Sequence, residues 1–421
     1  MIEHPITVSV GASSPAAVDD RSRVDILGPE HPHARRADVD IETPCGLRSS
    51  CWCNARRTTS DEGATFPPAV RGGEREETAV ASSEVWVASS RDELLAGAEQ
   101  RVLVTPGDAR SGSLFELVTI DGQRYFAKTL GYRTDWIMRV TGDRDLRTLK
   151  IWQAGIMNDA PAEIDHAVVG MAADGDNEDA LLTILMRDVG NHLIPEGDSM
   201  ISLETHLGFI DGLAALSARF WDWRDDLALT SIEERLRFFA PDNIAAEAAG
   251  DDPPGPIVVA TQGWPRLSEQ APALAELLAA IHADPTPLAD AMRGTPATFL
   301  QGDWKMGNLG MHPDGRTILI DWAYPGSGPV CWDLAWYLAL NCRRLPMTKE
   351  VTIDALRAAL ERRGVSTDGW FELQLDLCLL GMTVCFGWEK AMGDAEELAW
   401  WERQAVAGAH HVRTHYPVPS L

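Results

Sequence analysis

Apolar positions change their spacing twice along the chain. Residues 1–88 keep no period of 2 or 3.6 for more than a few positions, and Pro, Gly, Ser, Thr, Arg and acidic residues dominate, which predicts a mostly disordered extension. From Val102 short alternating runs take over. Leu114 to Ile120 and Tyr125 to Leu130 flank Asp121-Gly122, a pair suited to a type I′ turn, and predict a β-hairpin. Thr134 to Trp152 predicts a helix, with Leu146, Leu149 and Trp152 on one face and Gly155 closing it. Leu181 to Met186 is continuously apolar and of strand length, so it predicts a buried strand. After about residue 190 the period becomes helical: Leu203, Leu207, Ile210, Leu213, Phe220 and Trp221 lie on one stripe, and Leu274, Leu277, Leu278 and Ile281 on another. Pro241 to Pro265 reads as a long surface loop with Asp251-Asp252 in a solvated turn, while helices resume at Pro329 and from Val351 onward. The expected class is α+β: an extension over 1–88, a small β-rich lobe over 89–190 and a larger, mostly helical lobe over 191–421.

Composition narrows the partners. A formal net charge of −26 over 421 residues argues against nucleic acid and anionic membrane surfaces, which require basic patches, and suits a cationic small molecule. Seven cysteines show no even framework, and Cys45, Cys51 and Cys53 match no common zinc spacing. With no signal-like start and no apolar run of the roughly 18 residues a membrane span needs, the expectation is a cytoplasmic protein.

Chemistry concentrates between Gln301 and Asn341. Asp303 and Asn308 bracket four residues, the spacing of a phosphate-transfer loop in which an Asp takes the proton of an attacking hydroxyl and an Asn holds magnesium. Leu309 to His312 and Arg316 to Ile320 are short strands joined by Pro313-Asp314-Gly315, so the chain goes out and returns, bringing Asp321 beside Asn308. A carboxylate and an amide oxygen facing one space suit Mg²⁺. Upstream, Lys128 ends the apolar run Tyr125-Phe126-Ala127, one hairpin after the loop Gly107 to Ser113, whose Ser111, Gly112 and Ser113 are candidates to meet phosphates. That loop is not a P-loop, because Ser113 stands where the lysine belongs. Asp145, or Asp143, is the candidate partner of Lys128, and in a two-lobed kinase Met186 and Asp188 would stand at the crossing between lobes, where backbone meets adenine. Asp333, near a helix start, is expected to support the loop of Asp303. Trp370, Trp388, Trp400 and Trp401, interleaved with acidic residues, read either as lining for a cationic or sugar-like substrate or as an amphipathic helix face.

Together these residues resemble the aminoglycoside phosphotransferase family and its choline-kinase-like relatives, through FAK at Lys128, Q-G-D-x-x-x-x-N at 301–308, I-D-W at 320–322 and G-P-x-x-W-D-L-A from Gly328. The resemblance implies a protein-kinase-like two-lobed fold with ATP between the lobes. It carries the base onto Asp303, the magnesium ligands onto Asn308 and Asp321, and the phosphate-contacting lysine onto Lys128. Gln301 departs from the family's usual His, and Asp145 from its usual Glu. Only eleven residues separate Asp321 from Asp333, too few for the activation segment of a protein kinase, so the implied acceptor is a small-molecule hydroxyl. The alternative is a pseudokinase that binds nucleotide without turnover. Fold does not fix the acceptor.

Overall fold

The structure, a computed structural model, describes residues 85–106 and 111–415. The three cysteines before residue 54 and the start of the Gly107 loop lie outside the described residues.

The hairpin predicted around Asp121-Gly122 is strands β3 (Leu114–Ile120) and β4 (Gln123–Gly131), and both turn residues have positive φ, 50° and 71°, as a type I′ turn requires. With β1 (Val87–Ala88), β2 (Ala98–Val104), β6 (Val168–Asp174) and β7 (Leu181–Arg187) they form a sheet in the order β1-β6-β7-β4-β3-β2. The last two residues of the stretch expected as an extension are thus a strand, paired in parallel with Met171 and Ala172. Two residues are too short to leave a period in the sequence. The central position of β4 matters most here: Lys128 pairs with Phe115 on one side and Ile184 on the other, so its backbone is fixed by both neighbours.

The helix expected over Thr134 to Trp152 is two helices, Trp136–Val140 and Arg147–Gln153. Gly142 and Leu146 take left-handed φ values of 65° and 55° between them. Asp143 accepts from the Arg147 N–H at 3.0 Å and holds the second start, while Gly155 closes the second helix as expected.

Beyond β7 the chain is mostly helical. The smaller strands β5 (Ile164–Asp165), β9 (Leu309–Met311) and β10 (Thr317–Leu319) form one sheet, and β8 (Ala297–Leu300) pairs with β11 (Gly326–Pro329). Helix Phe371–Ala391 is the axis, packed by the helices Ala395–His415, Gly255–Gln270 and Cys331–Leu340. It is long and apolar enough to cross a membrane, contrary to the expectation that no run reaches that length; in this fold most of it is buried. Embedded Gln374, Glu389 and Lys390 mark it as a core helix, since each has a hydrogen-bond or charge partner.

Two other readings change. Pro241 to Pro265 is not a loop: helix Pro241–Ala248 and helix Gly255–Gln270 occupy it, with prolines in their first turns, where a missing N–H costs nothing, and Pro265 inside the second. Only the exposed Asp251-Asp252 segment between them is a turn. In helix Leu203–Arg219 the buried stripe runs through His206, Phe209, Ile210 and Leu213, and Leu203 and Leu207 face solvent. His206 hydrogen-bonds Tyr337 and Thr352 at 3.0 and 3.1 Å, so a polar ring occupies a core position that an apolar count passes over. The α+β arrangement of a β-rich N-terminal part and a helical C-terminal part is as expected.

Candidate active site

β9 and β10 carry out the geometry their sequence prescribes. Leu309 pairs with Leu319, Gly315 takes φ 93° in the turn, and the Ile320 N–H donates to Asn308 O at 3.0 Å. Asn308 and Asp321 therefore leave the two ends of one hairpin side by side. Asp321 itself is left-handed, φ 59°, unusual for a residue with a Cβ and a mark of a backbone held from outside.

Gln301 does much of that holding. Its Nε2 donates to Asp321 O at 2.6 Å while its Oε1 accepts from the Asp303 N–H at 2.9 Å, so one buried amide ties the two loops together. Asp333 holds the same loop from below, accepting from the N–H groups of Gln301 and Gly302, each at 3.1 Å. Burial raises the Asp333 carboxyl to about 6, against the pull of Arg235 and of those two N–H groups. Gly302, φ 88°, admits no side chain, because a Cβ would stand 1.9 Å from Tyr324 O.

The Asp303 carboxylate is met by three donors. Trp336 Nε1–H donates to Oδ1 at 2.8 Å; Lys305 Nζ and Asn308 Nδ2 donate to Oδ2 at 2.7 and 2.8 Å. Asn308 thus turns its nitrogen to Asp303 and leaves its side-chain oxygen for another partner. Lys305 and Trp336 were not singled out in the sequence. A lysine two residues after Asp303 in an acidic chain was a signal for the first, and the spacing from Asp333 to Trp336 on one helix face for the second.

Lys128, 9% exposed, points across from β4 and donates to Asp321 Oδ1 at 2.8 Å. Burial would raise the Asp321 carboxyl, but the charge and hydrogen bond of Lys128, with the charge of Lys305, hold it below the ordinary range. Asp145 is not the partner of Lys128. Its carboxylate is at the surface, 75% exposed, 3.4 Å from Lys150 Nζ, because the helix break at Gly142 and Leu146 turns it outward. The carboxylate that does stand near Lys128, besides Asp321, is Asp135, the N-cap of helix Trp136–Val140, accepting from Ile137 N–H at 2.9 Å. Burial raises its carboxyl, with Lys128 opposing. Thr134-Asp135 before an apolar turn is an N-cap pattern that sequence reading could have used.

The described end of the Gly/Ser loop is anchored to that cap. Ser113 Oγ donates to Asp135 Oδ2 at 3.1 Å and bonds Ser111 Oγ at 2.9 Å, and the Trp136 N–H donates to Ser111 O at 3.1 Å. Gly112, φ 92°, passes so close to Thr134 that a Cβ would be 2.3 Å from its carbonyl oxygen. Ser111 faces the cleft; Gly112 and Ser113 are used in the anchoring.

These groups converge on a cavity of about 470 Å³. Its polar end is Lys128, Asp303, Lys305, Asn308 and Asp321, and its apolar end is formed by residues such as Phe126, Met171, Ile184, Met186 and Ile320, with Asp188 at the rim. Asp188 is bonded by Arg124 at 2.6 Å. Arg187, also in the wall, pairs with buried Asp165. Apolar slot plus charged end is the shape of a nucleotide-sized site. Trp370, Trp388, Trp400 and Trp401 line neither this cavity nor the smaller one beside it; Trp388 and Trp401 are core residues.

Comparison with known proteins agrees with the motif reading. Residues 171–374 match the model of the phosphotransferase enzyme family; Asp303, Asn308, Asp321 and Asp333 lie inside the matched stretch and Lys128 before it. No curated protein matches the chain. Among solved structures, a microcompartment-associated aminopropanol kinase is similar at 12% identity and TM-score 0.39, over 76% of this chain and 94% of that one. Choline kinase from Streptococcus pneumoniae is similar at 12% identity and TM-score 0.36, over 77% and 97%. An aminoglycoside phosphotransferase from Streptomyces rimosus is similar at 18% identity and TM-score 0.42, over 69% and 93%.

Proposed function

We propose that this phosphotransferase moves the γ-phosphate of ATP to a hydroxyl of a small molecule. The observation that carries the reading is the convergence of Lys128, Asp303, Asn308 and Asp321 on one end of an otherwise apolar cavity. The apolar end takes the base beside Met186 and the hinge that follows it. Lys128 meets the phosphates, exchanging its bond to Asp321 for one to a phosphate oxygen, and Ser111 offers a hydroxyl beside it.

Asn308 and Asp321 fit a magnesium ion by donor type: the Asn308 side-chain oxygen is turned away from Asp303, and Asp321 has a second carboxylate oxygen besides the one bonded to Lys128. Bound there, Mg²⁺ supplies charge neutralisation on the phosphates. Asp303 orients the acceptor hydroxyl and takes its proton. Its carboxylate is held by Trp336 and Asn308, with Lys305 balancing its charge. The rate gain is chiefly positioning and charge matching.

A binding module without turnover has no need of Asp303 in this setting, so turnover is the better reading. The test is an ADP-release screen of the purified chain against hydroxyl-bearing metabolites and antibiotics, with Asp303→Ala as control. Acceptor-stimulated ADP release that the variant lacks is the expected result. Release that the variant retains rejects Asp303 as base, and a flat response across a broad panel favours nucleotide binding alone.

A further inference from the structure

We propose that the acceptor is an uncharged primary alcohol whose reacting end enters a small chamber beyond Asp303, and that the site discriminates against alcohols bearing an ammonium group beside the hydroxyl. This rests on the phosphotransferase reading above and names its substrate class.

A second cavity, of about 40 Å³, shares Ser111, Lys128, Asp303, Lys305 and Asp321 with the larger one. It continues past them to Phe238, Tyr324, Trp336, Leu340 and Phe386. The two cavities therefore meet at the candidate reacting groups, which leaves the larger for nucleotide and the smaller for the attacking hydroxyl. A volume of about 40 Å³ has room for a CH₂OH end.

Charge decides the rest. Every carboxylate that lines the chamber has partners: at the mouth Asp303 has Lys305 at 2.7 Å, and Asp321 has Lys128 at 2.8 Å and would face the metal once Lys128 turns to phosphate, while Asp135, which lines this chamber and not the larger cavity, has Ser113 at 3.1 Å and the Ile137 N–H at 2.9 Å. The far wall contains no acidic side chain. Its aromatic rings pack on one another, with centroids 5.3 Å apart for Phe238 and Tyr324 and 5.0 Å for Trp336 and Phe386. They are a packed cluster and not an open cage. Tyr324 also carries the fully buried Arg235 guanidinium 4.5 Å over its ring, so a cation already uses that face. An ammonium two bonds beyond the carbinol carbon would be desolvated near two lysines and an arginine, with no unmatched carboxylate to offset it. A neutral apolar neck meets no such penalty.

In the step itself the carbinol oxygen bonds to the γ-phosphorus as the bond to the β–γ bridging oxygen breaks. The hydroxyl proton goes to Asp303 and ADP leaves.

The deciding experiment compares choline with its neutral carbon isostere, in which a quaternary carbon replaces the quaternary nitrogen, as acceptors for the full chain at saturating Mg·ATP. Phosphoester is read by phosphorus NMR and ADP by coupled assay. The isostere is expected to give kcat/KM at least roughly tenfold higher, the penalty of an unpaired buried charge. Equal or better use of choline overturns the proposal, as does transfer to ring sugars with none to the isostere. Failure of the phosphotransferase reading looks different: no phosphoester from any alcohol and no Mg-dependent ATP binding by calorimetry. Leu340→Asp, which adds a carboxylate to the apolar wall, is expected to move the ratio toward choline by roughly tenfold. An unchanged ratio in a variant with the wild-type circular dichroism spectrum rejects the charge argument.

Discussion

Asp303 and Lys128 line the same two cavities, yet they are held by different means. Asp303 sits in a loop gripped from several directions, by Gln301, by Asp333 through two N–H groups, and by Trp336 and Asn308 on the carboxylate itself. Lys128 is set by its strand alone, and its ammonium reaches the other wall through one ion pair with Asp321. One wall is over-determined and the other is fastened by a single exchangeable contact. The difference suits the proposed roles: a base at Asp303 would have to stay in place, whereas a phosphate-contacting Lys128 would have to change partner when nucleotide arrives.

That contrast can be broken most severely at the fixed wall. Asp303→Ala is expected to lower kcat by about a thousandfold or more while leaving the nucleotide Kd within a few-fold, measured by steady-state kinetics and calorimetry. On the exchangeable side, Lys128→Ala should act mainly on nucleotide, raising KM for ATP by roughly tenfold or more, the range of a lost hydrogen bond to a charged group. If its main effect is instead a lowered Tm with KM unchanged, the Lys128–Asp321 pair is structural.

Asp333 gives a subtler test, through pH. Its folded pKa of about 6 lies above the ordinary 3.8 for such a carboxyl, so between those values the folded chain holds a proton that the unfolded chain has released. Its contribution to stability is therefore full at low pH and declines as pH rises toward about 6, by roughly 3 kcal/mol in all. Urea unfolding from about pH 4 to pH 7 should show this decline in the wild type and lose it in Asp333→Asn. The smallest effects are expected where sequence and structure part company. Gln301→His should change kcat/KM by less than about threefold if the ring keeps both loop contacts, and Asp145→Ala, on a mostly exposed side chain, should leave the kinetics unchanged and the free energy of unfolding within about 0.5 kcal/mol of wild type.

What the sequence could and could not reveal follows the same division. The hairpin from Asn308 to Asp321 was legible because Pro313-Asp314-Gly315 and two short apolar runs are local signals, and the pairing of Leu309 with Leu319 needs nothing else. That Lys128 lies on the second strand of the hairpin was legible for the same reason, although the strand runs on past it to Gly131. Its partner was not, because the choice between Asp145, Asp135 and Asp321 depends on Gly142 and Leu146 turning the chain by positive φ, and nothing in the residue type of a leucine announces that. The helices within Pro241 to Pro265 were hidden by prolines that sit harmlessly in first turns. Trp336 was hidden in another way: its indole looks like core, and it is core, apart from the one N–H that reaches Asp303.

The apolar helix Phe371–Ala391 has a consequence for how the protein is made. Its most extensive cover is the helix Ala395–His415, which leaves the ribosome after it. During synthesis there is an interval in which a stretch long and apolar enough for a bilayer has been made and the largest part of its cover has not been translated. A chain stopped before Ala395 is expected in the insoluble fraction or bound to chaperones, which fractionation of cells expressing that truncation would reveal. For this protein the helix made directly after the apolar one does most to turn a potential membrane segment into the axis of a lobe.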